Sequence, residues 1–382
     1  MDNNDLSRPD QEIKPLPEGI FFDPTITSKL EGTTLSSGWV LLEKARKNGD
    51  VDKYGHSGGN FSVGYIAQKG VERGFVKVLD FGRAFTEQSG NIMGAMASIS
   101  KDHNFECNLL KICDDAKLDR IVRVLDRGED YVDTPSGFKM PIAFIIFEIA
   151  DGDIRKAVRC ANATEVAWKL QMLHNVAVGL QQLHGQQIAH QDLKPSNVLT
   201  FDESGQGAKI ADLGRSLRKG MDADHDRLDF AADPQYAPPE QVYGIRAETW
   251  RDRREGCDLY QLGSLISFLF TSTTPNIYYR MNLPLEILPA KWNGTWVGSY
   301  DEVLPHLTAA LAGFLEEIRS ELPEWMSEDM VSLIHQMCDP VYGQRGDPAA
   351  RQQVGKPIGM DRFISRLDIL AKRAPIEARK LV

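Results

Sequence analysis

The sequence predicts an α+β chain of two lobes: a small antiparallel β-rich lobe with one main helix, then a larger, mostly α-helical lobe. Two observations predict it. Short runs rich in β-branched and aromatic residues dominate the first 150 positions. After Asp151-Gly152 the apolar spacing switches to period 3.6. Size sets the limit: 382 residues, 42% hydrophobic and 26% charged, can bury a sizeable core without staples. At roughly 100–200 residues per domain the chain allows two or three domains or one two-lobed unit.

Residues 1–37 are rich in Pro, Asp, Asn, Ser and Thr and read as a tail or a strap over the first lobe. Their polar start lacks the apolar run of a signal peptide. The small lobe is expected over 38–148. Trp39–Glu43, Phe61–Gln68 and Phe75–Leu79 read as strands, the last two joined by the polar turn Lys69–Gly74. A helix follows over Ile92–Cys113, then strands over Arg120–Leu125 and Ile142–Glu148. The large lobe is expected over 149–382. There Val166, Leu170, Leu173, Val176, Ala177, Leu180 and Leu183 fall on one helix face. Two short strands flank the turn Asp202–Gly205. Beyond Gly256 the pattern is helical. A Pro-, Tyr- and Trp-rich insertion at about 273–300 reads as lobe packing, and a basic helix ends the chain near Arg362–Lys380.

Composition excludes some functions. With 44 Lys plus Arg against 54 Asp plus Glu, the net charge is -10, which argues against a general nucleic-acid binder. The longest apolar stretches, Ile142–Ile149 and Leu262–Phe270, fall far short of the roughly 20 residues a membrane span needs. Cys107, Cys113, Cys160, Cys257 and Cys338 form neither a C-x-x-C pair nor a tight Cys/His cluster, and read as buried thiols of a reducing compartment. The expectation is a soluble, acidic, cytoplasmic protein.

The chemistry is concentrated in Ile188-Ala-His190-Gln-Asp192-Leu-Lys194-Pro-Ser-Asn197-Val-Leu199, which sets a carboxylate, an ammonium and an amide within six residues. Twenty residues on, Asp212-Leu-Gly214 follows a short strand at Ala208–Ala211. Such a set suits phosphoryl transfer. One carboxylate accepts the attacking hydroxyl's proton, a Lys neutralises charge on the moving phosphoryl, and an Asn and a second Asp supply hard oxygen ligands to Mg²⁺.

With these residues the sequence resembles the eukaryotic-type (Hanks-type) protein kinase superfamily, through its H-R-D-L-x-x-x-N catalytic loop and D-F-G metal loop. The resemblance implies a bilobal kinase-like fold, ATP and Mg²⁺ as cofactors with Mn²⁺ as an alternative, and a protein substrate. It makes Asp192 the catalytic base, sets Lys194 on the transferred phosphate, and makes Asn197 and Asp212 metal ligands. Lys194-Pro195 is similar to the Ser/Thr-specific branch. Further landmarks follow in order. Ala232-Asp-Pro234-Gln-Tyr236-Ala-Pro238-Pro239-Glu240 resembles the stretch ending in A-P-E. Asp258 is expected to hydrogen-bond the catalytic-loop backbone, and Arg345 to pair with Glu240. Lys77, in Phe75-Val-Lys77-Val, matches the strand Lys that reaches the ATP phosphates, and Glu106 is its expected helix partner, since Glu87 lies too close. Phe147 enters the hinge, where backbone groups from Glu148 to Ala150 would read adenine, and Leu199 is a further candidate for binding the nucleotide. The resemblance covers roughly residues 39–370 and is also loosely similar to stand-alone bacterial kinase-like proteins.

The departures are informative. Ser57-Gly58-Gly59-Asn-Phe61-Ser62-Val-Gly64 lies on the Gly-rich loop, but Gly59 alone keeps its place; Gly58, Gly59 and Ser62 are the candidate phosphate contacts. Gly64 stands where an adenine-covering Val is expected and Phe75 where a small Ala is expected, so the Phe75 ring is expected to roof the pocket. Gln191 replaces the catalytic-loop Arg that meets a loop phosphate, and the span 212–240 holds a single Ser or Thr, Ser216. Activity without loop phosphorylation is therefore expected. Asp222, Asp224, Asp226 and Asp229 occupy that loop instead, as a solvated run or as a device favouring basic substrates. Asp233 stands where Ser/Thr kinases have Thr; it is expected either to pair with Lys194 or to raise the pKa of Asp192. Two other readings stay open: a pseudokinase scaffold that binds nucleotide or partners without transfer, and a small-molecule kinase of the aminoglycoside or choline kinase type.

Overall fold

The computed structural model describes residues 26–45, 62–80, 92–133, 139–155, 166–227, 233–353 and 358–380. Five strands form one antiparallel sheet: β1 (Val40–Lys44), β2 (Ser62–Lys69), β3 (Glu72–Leu79), β4 (Val124–Asp133) and β5 (Lys139–Glu148), in the order β1-β2-β3-β5-β4. Side chains alternate across a strand. On β3, Gly74, Val76 and Val78 are buried on one face, while Phe75, Lys77 and Leu79 share the other, half-buried face. Register sets Lys77 opposite Gly64 on one side and Ile145 on the other, and Phe75 opposite Ile66 and Phe147.

The expected strand at Arg120–Leu125 is displaced. Ile121 makes only an isolated bridge to Ile210, and the strand runs over Val124–Asp133. That segment is charged because it is the sheet's edge, where half the backbone and one face meet solvent. The turn before β3 also shortens to Gly70-Val71, so β3 begins at Glu72.

Ile26, Leu30, Leu35 and Trp39 are buried and pack into the sheet's apolar cluster with Leu41, Tyr65, Val76, Val78 and Ile146. The Tyr65 hydroxyl donates to Thr27 O at 2.6 Å and accepts from the Leu30 N–H at 3.2 Å, fastening this segment to β2. Burial pushes that phenol up to about 12.

Helix α1 (Ile92–Asp115) joins both parts of the molecule. Its Ile99 belongs to the sheet's cluster; its Phe105, Leu109, Leu110 and Cys113 belong to the larger helical core. That core is built from α2 (Val166–Gly185), the buried α4 (Gly256–Thr271), α6 (Tyr300–Glu321), α7 (Glu324–Cys338) and α8 (Met360–Arg379). Short helices α3 (Pro239–Val242) and α5 (Pro275–Asn282) lie between. Small strands β6 (Gly152–Asp153), β8 (Val198–Phe201) and β9 (Gly207–Ile210) form a three-stranded sheet, and β7 (Ile188–Ala189) pairs with β10 (Leu217–Arg218). The bilobal α+β architecture is therefore present. Among the described residues no helix is long and apolar enough to cross a membrane. Cys107, Cys113, Cys257 and Cys338 carry free thiols; Cys160 lies outside the described residues.

Candidate active site

A cavity of about 490 Å³ opens between the sheet and the helical lobe. Phe75, Val122, Phe147, Ile149, Ala150, Leu199 and Ala211 give it apolar walls, and Lys77, Glu106 and Asp212 form one polar end. The lining suits a flat, partly apolar ligand with a charged tail. Sequence reasoning placed Phe75, Lys77, Glu106, Glu148, Ala150, Leu199 and Asp212 here; it missed Val122 and Ala211, whose neighbours alone give no sign of the cleft.

Lys77 Nζ donates to Glu106 Oε1 at 3.0 Å and Oε2 at 3.1 Å, and to Asp212 Oδ1 at 3.2 Å. Strand, helix and loop thus converge on one ammonium. Burial acts against the Lys77 charge, but Asp212 and Glu106 together hold it protonated, above its ordinary value. Burial also acts to raise Asp212, yet Lys77 overrides it and keeps that carboxylate charged. Glu106 moves upward through burial and the nearby Asp212. Asp212 has a left-handed backbone, φ +61°, at the sharp bend after β9 that turns its carboxylate to Lys77.

A second polar group is built in the loop after β7. Lys194 Nζ stands 2.9 Å from Asp192 Oδ2, and Asn197 Nδ2 donates to Asp192 O at 2.8 Å. Burial raises the Asp192 carboxyl above its ordinary value, with Lys194 opposing and Asp212 adding. The loop is braced from α4. Asp258 is fully buried and accepts from the His190 N–H at 2.8 Å, the Gln191 N–H at 2.7 Å and His184 Nε2 at 2.8 Å. Gln261, one helical turn on, accepts from the Leu193 N–H at 2.8 Å and donates to Gln191 O at 2.9 Å. Gln261 was missed, although its position three residues after Asp258 sets it on the same helix face.

Asp233 does neither thing expected of it. Its carboxylate turns back to accept from the Gln235 N–H at 3.0 Å, and its own N–H donates to Asp192 Oδ1 at 3.2 Å. A short acidic side chain closes its local turn more readily than it reaches across the cleft. The raised Asp192 pKa therefore has burial, not Asp233, as its main cause.

Glu148 is used through its side chain. The carboxylate accepts from Lys209 Nζ at 2.7 Å and from the Arg123 N–H at 2.8 Å, tying the end of β5 to β9. Its N–H is taken by Arg123 O at 3.0 Å. The Phe75 ring lies over Gly64: a Cβ built at Gly64 would stand 2.7 Å from the ring tip. Ser62 is buried at the start of β2, while Gly58 and Gly59 lie outside the described residues, as do Glu87, Asp229 and Ala232. Glu240 and Arg345 form a buried two-pronged ion pair, 2.6 and 2.5 Å, over the Tyr260 ring. The insertion braces the segment before Glu240: Asn276 Nδ2 donates to Pro234 O and Ala237 O at 2.9 and 2.7 Å.

The donors present suit an oxygen-seeking divalent ion. Asp212 and Asn197 both carry side-chain oxygen, the hard donor type such an ion prefers, and among the described residues no cluster of three or more His, Cys, Asp or Glu is placed to hold a metal.

A profile of the protein kinase domain matches residues 95–354, more than half of the chain. The chain belongs to the protein kinase superfamily of eukaryotic type. It is similar to a "probable serine/threonine-protein kinase" of Streptomyces coelicolor, 30% identical over 174 residues, which are 44% of this chain and 25% of that protein. A second serine/threonine-protein kinase so described, from Dictyostelium discoideum, is 28% identical over 178 residues, 43% of this chain and 39% of that protein. Human ribosomal protein S6 kinase alpha-1 is 33% identical over 119 residues, 31% of this chain and 15% of that protein. The chain thus spans well under half the length of these relatives. The matched profile begins after β3, so Lys77 and the roof residue Phe75 fall outside it.

Proposed function

We propose that the chain moves the γ-phosphate of ATP to a Ser or Thr hydroxyl of a protein substrate, in the cytoplasm and without loop phosphorylation. The observation that carries this reading is the convergence of Lys77, Glu106 and Asp212 at the cavity's polar end, with the Asp192–Lys194 pair within electrostatic reach of Asp212. The acceptor's proton passes to the Asp192 carboxylate. Its oxygen bonds to the γ-phosphorus, and the bond to the β–γ bridging oxygen breaks, its electron pair leaving with ADP. Lys194 sits where it neutralises charge on the moving group, and Lys77 where it orients the phosphates. Mg²⁺, when bound, neutralises charge on those phosphates; Asn197 and Asp212 would hold it. Phe75, Val122, Ala150 and Leu199 would enclose the base. Lys194-Pro195 and the names of the relatives support Ser/Thr acceptors, and the free thiols support a reducing compartment. A preference for basic substrates rests now on fewer charges, because Asp224 and Asp226 are paired within the chain.

Incubation with radiolabelled ATP, Mg²⁺ and myelin basic protein or casein is expected to label Ser or Thr, and Asp192→Asn to lose at least about a hundredfold in rate. Phosphatase treatment beforehand is expected to leave the rate unchanged. Nucleotide binding without transfer would leave the scaffold reading, and transfer only to small amino or hydroxyl compounds would leave the small-molecule kinase reading.

A further inference from the structure

Gln191 occupies a costly position. It is buried, with a left-handed backbone at φ +67°, directly before Asp192. Its Nε2 donates to Arg254 O at 2.9 Å and to Asp258 Oδ1 at 3.1 Å, and its Oε1 accepts from Arg254 Nη1 at 2.8 Å. Arg254 is buried as well. It sits on a five-residue π-helical turn, Arg251–Glu255, that leads into α4 and closes with the Gly256 N–H on Arg251 O. Such wide turns set side chains and carbonyls where an α-helix cannot. Here one residue, Arg254, gives both its carbonyl and its guanidinium to the same glutamine.

The other end of Arg254 meets the acidic loop. Arg254 Nη2 donates to Asp226 Oδ1, and Arg253 Nη2 reaches the same oxygen at 3.0 Å and Asp226 O at 3.0 Å. Asp226 ends a tight turn that also reaches α1. His225 is buried, with its ring edge-on to Phe105 at 5.7 Å and its Nε2 3.0 Å from Ser216 O. Asp224 pairs with Lys101 at 2.7 Å, an exposed contact of small weight. Phe105 is the neighbour of Glu106 on α1.

We propose that Arg254 is a positioning residue for phosphoryl transfer and that Asp226 is its built-in anionic partner. The Asp226–Arg254–Gln191 relay holds the catalytic loop in place, as a loop phosphate meeting an arginine at position 191 otherwise would. The guanidinium stands at position 254 rather than at position 191, and the anion is a carboxylate of the chain. His225 on Phe105 sets the same turn against the helix that carries Glu106. This rests on the kinase reading above and adds to it the means by which the loop is ordered without modification.

Four variants test it: Asp226→Asn, Arg254→Gln, the pair together, and the exchange Gln191→Arg with Arg254→Gln. The readouts are kcat and KM with ATP, Mg²⁺ and myelin basic protein, and amide hydrogen exchange at residues 190–194. Each single variant is expected to lose about 10- to 100-fold in kcat, the size of a misplaced catalytic group, with KM for ATP changed less than about twofold. The pair is expected to be no worse than the poorer single variant, because both break one relay. The exchange variant is expected to regain most of the rate, since a guanidinium at 191 arrives beside Asp226. Exchange at 190–194 is expected to quicken in the single variants and return in the exchange variant. A wild-type kcat in Arg254→Gln, or additive losses in the pair, would overturn the relay. Should the wild type transfer no phosphate, the kinase reading fails. The relay is still judged by hydrogen exchange, which needs no activity, and unchanged exchange in Asp226→Asn overturns it.

Discussion

The tip of the Phe75 ring fills the space that a side chain at position 64 would take, 2.7 Å from where its Cβ would lie. Contact that close does not occur between real atoms, so the two positions must vary together. Gly64→Val alone is expected to displace the ring and weaken nucleotide binding. Phe75→Ala alone is expected to weaken it about tenfold by removing the roof. The double variant is expected to bind better than Gly64→Val alone, as read by titration with a fluorescent ATP analogue. A second expectation follows from the charge around Asp192. Burial raises its pKa, so as pH falls its carboxylate takes up a proton, and the base is lost, above the ordinary 3.8. Lys194 opposes the rise, so Lys194→Ala is expected to move the acid limb of kcat/KM to still higher pH, besides lowering the plateau. A limb that stays in place would dissociate Asp192 from it. At this scale, Asp192, Lys194 and Asn197 were legible because their partners lie within five residues of one another. Arg254 was not, because its partner Gln191 lies 63 positions away and the contact depends on a π turn that leaves no mark in the sequence.

Elements were legible where periodicity was strong and blurred where the edge of a sheet relaxed it. The apolar spacing of α2 places Leu170, Leu173, Val176, Ala177, Leu180 and Leu183 in the core, as a helix buried on one side requires. β4 runs over Asp126, Arg127, Glu129, Asp130 and Asp133, a composition that reads as loop until the neighbouring β5 supplies its hydrogen bonds. Connections between elements were legible through pairs of opposite charge. Glu240 on α3 and Arg345 after α7 meet at 2.5–2.6 Å, both almost fully buried, with Arg345 Nε also donating to Asp339 O at 2.8 Å. Removing one partner leaves a bare charge in the core, so Arg345→Ala is expected to cost about 3–5 kcal/mol in urea unfolding. Glu240→Leu with Arg345→Met is expected to cost less than Arg345→Ala, since no charge is then stranded. Asn276 of α5 holds the segment just before Glu240 through Pro234 O and Ala237 O. The aromatic insertion thus acts as a brace for the loop that faces Asp192.

Across the whole molecule, two apolar clusters meet at α1, and the cavity is walled by residues of the sheet and of the helical lobe. The sequence left residues 1–37 open as a tail or a strap over the first lobe; the described part, from Ile26, joins the sheet's core. Ile26, Leu30 and Leu35 fill the far side of the sheet from Phe75 and Lys77, and Thr27 bonds Asp80 at the end of β3 at 2.9 Å. Polar residues between those apolar positions left the sequence undecided between tail and strap; the described part, 26–37, packs as a strap. Leu30 is 1% exposed, so Leu30→Ala is expected to cost about 2–5 kcal/mol, falling on the small lobe alone. Scanning calorimetry is then expected to split one transition into two, the lower belonging to the sheet, because the larger helical core loses nothing. A non-hydrolysable ATP analogue with Mg²⁺, held at a hundred times its dissociation constant, adds about 2.7 kcal/mol to whatever state binds it. Its site needs Lys77 from the sheet and Asp212 from the helical lobe together, so the ligand is expected to raise the lower transition and draw the two back toward one. If Leu30→Ala instead melts as a single transition at the wild-type temperature, the strap does not belong to the core. If the ligand raises the upper transition alone, the cleft does not need the sheet. These two results separate the strap's part in folding from the cleft's part in joining the lobes.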